Sequence, residues 1–139
     1  MKQETALKLL KAGENVFLTG SAGAGKTYTL NQYINYLKAR KVSVAMYEGE
    51  INMVIHANGG KITVTITTDE IIMELADKGP GIPDVKLAMQ EGFSTAPDNI
   101  RSLGFGAGMG LPNMKRYTDE MQIDSVVGEG TTITMRVKY

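Results

Sequence analysis

Glu48 and Asn52 stand four residues apart, a spacing that stacks two side chains on one face of a helix. On such a face the side-chain oxygen of Asn52 can bind a magnesium ion while Glu48 contacts the water or hydroxyl that attacks a terminal phosphate. Magnesium takes only one or two protein ligands and completes its shell with phosphate oxygens and water, so a lone asparagine suffices. Further along, Asp77 precedes Lys78-Gly79-Pro80-Gly81. A carboxylate there can accept the amino proton of adenine, and Gly79 and Gly81 let the backbone come close to the base. Last comes Gly104-Phe105-Gly106-Ala107-Gly108-Met109-Gly110, which runs directly into a helix opening at Leu111. This run, from its first glycine through Met109, Gly110 and Leu111, can wrap triphosphate oxygens with backbone amides. Each element alone has a plainer reading: a polar helix face, a turn after a hairpin, a glycine hinge. Their order and separation give the signal its strength.

A second phosphate signature lies upstream, where Gly20-Ser21-Ala22-Gly23-Ala24-Gly25-Lys26-Thr27 fits the pattern GxxxxGK(S/T). That pattern predicts backbone amides of a loop built on Gly20, Gly23 and Gly25 around phosphates, with Lys26 reaching them and Thr27 on magnesium. A chain of 139 residues is the size of one ordinary domain, with little room for two complete nucleotide-binding folds. One site is therefore expected to be a fragment. Nothing after residue 27 supplies the strand-end aspartate, sensor residue or arginine finger that a phosphate-loop enzyme needs, so the loop at 20–27 lacks most of its parts.

The elements that must position these residues can be read from periodicity. Residues 5–12 place Ala6, Leu7 and Leu10 on one side and end at Gly13, which predicts a short amphipathic helix. Val16-Phe17-Leu18 reads as a short buried strand, and residues 27–40 carry Leu30, Tyr33, Ile34 and Leu37 at helical spacing. Residues 41–57 have two readings. Val42-Ser43-Val44-Ala45 alternates like a strand, whereas one helix over the whole stretch puts Val44, Glu48, Asn52 and His56 on a common face. The helix is preferred because Asn58-Gly59-Gly60 terminates it well, although Gly49 costs it about 1 kcal/mol relative to alanine. Residues 62–66 and 71–76 make a hairpin, and residues 84–91 a short helix. Residues 92–110 form a long glycine-rich loop of the kind that serves as a lid. Residues 111–119 are helical, and 121–127 with 131–137 close the chain as a second hairpin.

Fifteen basic residues balance fifteen acidic ones, which removes the electrostatic ground for nucleic acid or an anionic membrane as main partner. No apolar run approaches the roughly 20 residues that span a bilayer, and the charged amphipathic start is unlike a signal sequence. A cytoplasmic protein is expected. The absence of cysteine rules out disulfides, thiolate metal sites and cysteine nucleophiles, and the single histidine, His56, rules out multi-histidine zinc sites. Glycine alone is in excess, at 16 of 139 residues against the usual ~7%, and most of the excess lies in the loops above.

Residues 42–139 resemble the GHKL superfamily of ATPases and kinases, which includes gyrase, heat-shock chaperone ATPases, mismatch-repair proteins and bacterial histidine kinases. Within it they resemble the small serine/threonine kinases that act as anti-sigma factors and stress switches. EGEINMVIHA is similar to their N box, DKGPGIPD to their G1 box, residues 91–116 to their ATP lid and SVVGEGTTITM to their closing hairpin. The resemblance implies an α/β two-layer sandwich, with a mixed, mostly antiparallel sheet, helices on one face, and ATP or ADP with Mg2+ between the N-box helix and the lid. It implies Glu48 as general base, Asn52 as magnesium ligand, Asp77 as adenine-binding carboxylate, Thr131 supporting adenine through water, and the lid glycines on phosphate. It also implies a serine on a small anti-anti-sigma-type protein as substrate and a sigma factor as a further partner, and it leaves monomer and homodimer open. His56 matches the histidine that ends many N boxes, with a structural or near-site role rather than phosphate acceptance.

The first forty residues depart from that family. Residues 3–40 resemble the Walker A segment of a superfamily-one-type DNA helicase and supply one strand and one helix where the kinases have their own. The chain is expected to be a single domain in two segments, 1–41 and 42–139, a composite that evolution or a laboratory could have made. Two alternatives stand beside the kinase reading: nucleotide held on residues 20–27 with the rest as scaffold, or a recombination product without native catalysis.

Overall fold

A computed structural model describes residues 2–14, 26–104 and 106–139, and of Lys26, Thr27, Leu30 and Asn31 the backbone alone. The strand expected at Val16-Phe17-Leu18 and the loop glycines Gly20, Gly23 and Gly25 lie outside the described residues. The chain divides into two compact units, Met1–Arg40 and Lys41–Tyr139.

In the first unit, helix α1 (Gln3–Lys11) buries Ala6 and turns out through Gly13, whose φ of 83° suits a residue without a Cβ. The long helix that follows carries Thr29, almost fully buried, and Tyr33 stacked on Tyr36 with ring centroids 6.2 Å apart. The Lys11 ammonium lies 5.0 Å from the centre of the Tyr36 ring, a cation–π contact that ties α1 to its neighbour.

Helix α2 (Lys26–Ala57) runs for 32 residues, and the unit boundary falls within it. The two pieces read separately at 27–40 and 41–57 are thus one helix, and the strand alternative at 42–45 fails. Burial explains why. Val42, Ala45, Met46, Gly49 and Met53 recur at helical spacing and are buried or half-buried against the core of the second unit. The helix stops where Asn58 turns left-handed at φ 57° and the Gly59 amide donates back to the Met53 carbonyl at 2.9 Å, which satisfies one carbonyl of the last turns.

Four strands follow: β1 (Lys61–Ile66), β2 (Glu70–Ala76), β3 (Glu120–Val126) and β4 (Gly130–Lys138). They form one sheet in the order β1-β2-β4-β3, antiparallel throughout the described residues. Strand β4 alternates strictly, burying Thr131, Ile133, Met135 and Val137. Met73 opposite Met135 and Leu75 opposite Ile133 join them beneath Ala45, Met53, Leu111 and Met114. Four methionines in that core supply unbranched side chains that fill an irregular space between helix and sheet. The other sheet face is polar. Thr63, Glu74, Thr134 and Gln122 form one cross-strand row. Arg136 bridges to Glu70 at 2.6 Å and Lys138 to Glu120 at 2.5 Å. Such a face needs no covering layer, whereas the apolar face is covered by α2 residues from Val42 onward and by Leu111 and Met114.

Gly49 shows why the helix accepts a poor helix former. A Cβ there would collide with Leu75 Cδ2 and stand 3.4 Å from Met114 Sδ. The missing side chain lets α2 approach β2 and α5 (Gly110–Arg116), and packing offsets the propensity cost. Helix α3 (Val85–Ala88) is capped by Asp84, whose carboxylate accepts from the Leu87 amide at 3.0 Å. Helix α4 (Asp98–Arg101) interrupts the expected loop at 92–110.

Candidate functional site

Glu48 and Asn52 lie one turn apart on α2, half-buried, beside the core stripe of Ala45, Gly49 and Met53. Their position follows from the stripe: once those residues face the sheet, the adjacent helix face points along the sheet's open end. Asp77 sits directly after β2. Its Oδ1 accepts from the Gly79 amide at 2.9 Å and the Thr131 amide at 3.1 Å, and its own amide donates to the Thr131 carbonyl at 2.9 Å. Two backbone donors on one oxygen fix the carboxylate plane and leave Oδ2 without a donor among the described residues. The pairing of Ala76 with Thr132 sets this geometry, because it carries the next residues of β2 and β4 into contact.

The lid begins and ends at one neck. The Gly92 amide donates to the Gly108 carbonyl at 3.0 Å, and Arg116 bridges to Glu91 at 2.7 Å. Between them Gly104, Gly106 and Gly108 take φ values of 88°, 70° and 78°, a left-handed path that side chains with a Cβ resist. Arg101 donates to the Ser94 carbonyl at 2.7 Å and holds the lid's inner turn. At the lid's end a Cβ on Gly110 would stand 3.0 Å from Asn52 Nδ2 and 3.1 Å from its Oδ1, so the backbone there rests on the Asn52 amide.

Together these elements enclose a cavity of about 600 Å³, lined by Glu48, Asn52, Asp77, Gly81, Thr131 and lid residues 104 and 106–111. That volume is in the range of small-molecule sites, ~300–1,000 Å³. Gly79 does not line it; its amide serves Asp77 instead. His56 also faces the cavity. Burial holds its imidazole below the ordinary value, and the Asp77 carboxylate acts in the opposite direction. Lys26 and Thr27 occupy the first turn of α2, and the rest of the 20–27 loop lies outside the described residues.

Two residues beside the site lie within the matched segments, although nothing in their spacing marked a role for them. Ser125 Oγ lies 2.8 Å from Thr131 Oγ1 and accepts from the Ile82 amide at 2.7 Å, so it joins β3, β4 and the turn after Asp77. A polar residue on the inward side of an alternating strand, next to Ile123, was the available clue. Asn113 Nδ2 donates to Glu48 Oε1 at 2.9 Å. Only the fold shows that the first turn of α5 faces α2.

An antiparallel sheet with helices on one face, and a cavity between a polar helix face, an Asp-Gly turn and a glycine lid, define a two-layer ATPase-type sandwich. The family model described as histidine kinase-, DNA gyrase B-, and HSP90-like ATPase matches residues 39–139, and the chain belongs to that family. The serine/threonine-protein kinase RsbT of Bacillus subtilis is 38% identical over 99 residues, covering 67% of this chain and 67% of that protein. An anti-sigma F factor of Caldanaerobacter subterraneus is 33% identical over 138 residues, covering 96% and 91%. The ATP-dependent DNA helicase Pif1 of a Psychrobacter species is 63% identical over 59 residues; that is 42% of this chain, which spans 9% of the helicase. The mycobacterial sensor histidine kinase MprB shares the fold, with a TM-score of 0.53 and 21% identity over 71% of this chain and 70% of that one. Because the helicase match is 59 residues long and the ATPase match begins at residue 39, the two overlap. No helix among the described residues is long and apolar enough to cross a membrane.

Proposed function

We propose that the cavity binds Mg-ATP or Mg-ADP and that the chain is a protein serine/threonine kinase of the anti-sigma and stress-switch type. The observation that supports this best is convergence. Glu48, Asn52, Asp77, the lid and Thr131 come from four separate segments and line one cavity of fitting size. The kinase and anti-sigma names of the relatives above supply the reaction class.

The donor set suits magnesium. No cluster of three His, Cys, Asp or Glu side chains among the described residues could hold a metal. A hard cation here would therefore rest on the Asn52 oxygen, phosphate oxygens and water. Bound magnesium would offset the charge on the phosphate oxygens. Asp77 Oδ2 accepts the adenine amino proton, and the Ser125–Thr131 hydroxyl pair holds a water beside the base. The lid amides surround the phosphates. Glu48 takes the proton of a serine hydroxyl as its oxygen bonds to the γ-phosphorus. The bond from that phosphorus to the bridging oxygen breaks, its electron pair stays with ADP, and the products are phosphoserine and ADP. The serine belongs to an anti-anti-sigma-type protein, with a sigma factor as second partner and a homodimer as an assembly to test. Balanced charge and the lack of cysteine accord with a cytoplasmic setting.

A second reading rests on the helicase likeness: phosphate held at residues 20–27, with segment 42–139 as scaffold. In this second reading the chain is a composite in which segment 1–41 stands in for the family's first elements, with the helicase likeness as its support. Nucleotide titration of Asn52→Ala, Asp77→Asn and Lys26→Ala separates the two. We expect the first two to weaken binding and the third to leave it unchanged; the reverse pattern overturns the proposal.

A further inference from the structure

We infer that Asn113 is the positioning residue for Glu48, holding its carboxylate in the orientation from which it takes a proton. This rests on the reading of Glu48 as base.

Three observations carry it. First, Asn113 Nδ2 lies 2.9 Å from Glu48 Oε1, in a partly buried contact between residues 65 apart in sequence. A carboxylate only accepts, so the amide nitrogen must be the atom facing it. Second, the Asn113 backbone is committed elsewhere: its amide donates to the Met109 carbonyl at 2.8 Å, and its carbonyl accepts from the Tyr117 amide at 3.0 Å. The side chain therefore projects from a fixed helical turn. Third, Asn113 is absent from the cavity lining, whereas Glu48 and its neighbours Gly110 and Leu111 belong to it. It stands behind the carboxylate and can act only through it.

The surrounding packing makes the contact short and directional. The next residues along each helix, Gly49 and Met114, also meet, since a Cβ on Gly49 would be 3.4 Å from Met114 Sδ. One turn away, Gly110 abuts the Asn52 amide. The first turn of α5 is thus keyed to both polar residues of α2: Gly110 against Asn52 and Asn113 against Glu48. One Glu48 oxygen is pinned, and the other is left for the attacking hydroxyl. Because α5 begins where the lid ends, seating of the lid and orientation of the base share one rigid turn.

The test uses the full chain and Mg-ATP, with water in place of the serine hydroxyl. Asn113→Ala should slow ADP formation about 10- to 100-fold, the penalty of a misplaced catalytic group, with affinity for a fluorescent ADP analogue unchanged. Asn113→Ala in a Glu48→Gln background should add no further loss. Multiplying losses, or equal rates for Asn113→Ala and wild type, overturn the inference. Should Glu48→Gln itself hydrolyse at the wild-type rate, it is the reading of Glu48 as base that falls, and the inference with it. A spectroscopic arm needs no turnover. The side-chain NH2 signal of Asn113, identified by its loss in Asn113→Ala, should move in Glu48→Gln and stay in place in Lys26→Ala. An unmoved signal in Glu48→Gln overturns the pairing.

Discussion

The two phosphate-type signatures of this chain differ in how much of the molecule each needs. The one at residues 20–27 is complete within eight consecutive residues. The other takes Glu48 and Asn52 from α2, Asp77 from the end of β2, glycines from the lid and Thr131 from β4, and it exists only once the strands are in register. A local loop can be recognised at a glance, and its amides can hold an anion wherever it is transplanted. Phosphoryl transfer asks for more: a base, a metal ligand and a base-recognising carboxylate must converge. Among the described residues, the Lys41–Tyr139 unit brings together the three side chains proposed for those roles, Glu48, Asn52 and Asp77.

The largest effect that would break this contrast is on turnover. Glu48→Gln should lower phosphoserine formation on an anti-anti-sigma-type protein by about 10²–10⁴-fold, the usual contribution of a positioned base, while Lys26→Ala leaves it near wild type. Labelled ATP and phosphoserine detection measure both. A Lys26→Ala loss as large as the Glu48→Gln loss would move the chemistry to the first unit.

Next in size is nucleotide affinity. Asp77→Asn keeps an oxygen for the Gly79 and Thr131 amides but replaces the acceptor at Oδ2 with a donor. A lost hydrogen bond to a charged group is worth about 1.5–3 kcal/mol, roughly 10- to 100-fold in Kd. Calorimetric titration with ADP should show that loss with an unchanged melting temperature. Preference should also shift away from adenine nucleotides.

Stability should follow the same division. Met135 is fully buried in the sheet core, and Met135→Ala should cost about 2–5 kcal/mol in denaturant unfolding. Tyr36→Ala removes a stacked ring and a cation–π contact on a half-buried surface, and about 1 kcal/mol is expected. Similar costs at the two positions would contradict a core confined to one unit.

How much of this could be read in the sequence depended on whether the information was local. The hairpins at 62–66/71–76 and 121–127/131–137 were legible because period-two alternation and turn residues act within a few positions. Asp77 at a strand end was legible for the same reason. The strand-or-helix ambiguity at 42–45 was not, because two β-branched residues beside an alanine fit either period, and only burial of Ala45 with Gly49 and Met53 decides it. Gly49 looked like a defect in the helix until Leu75 and Met114 were seen against it. The roles of Asn113 and Ser125 were not legible because their partners, Glu48 and Ile82, are remote in sequence.

The smallest effect concerns pH, and it also separates the two units, because the chain's single histidine lies in the second. Burial lowers the His56 pKa below its unfolded value, with Asp77 opposing the shift. A group with a depressed folded pKa favours its neutral form in the fold. Its contribution is fully present above the unfolded value, near 6.5, and is lost as pH falls through the lowered folded value. The His56 side chain is solvent-exposed, so the contribution is small. Urea midpoints of wild type should therefore fall slightly more steeply than those of His56→Gln as pH drops from about 7 to 5. Parallel curves would mean that the cavity wall at His56 is as wet as the unfolded chain, and the contrast between a built site and a bare loop would be weaker at that end of α2.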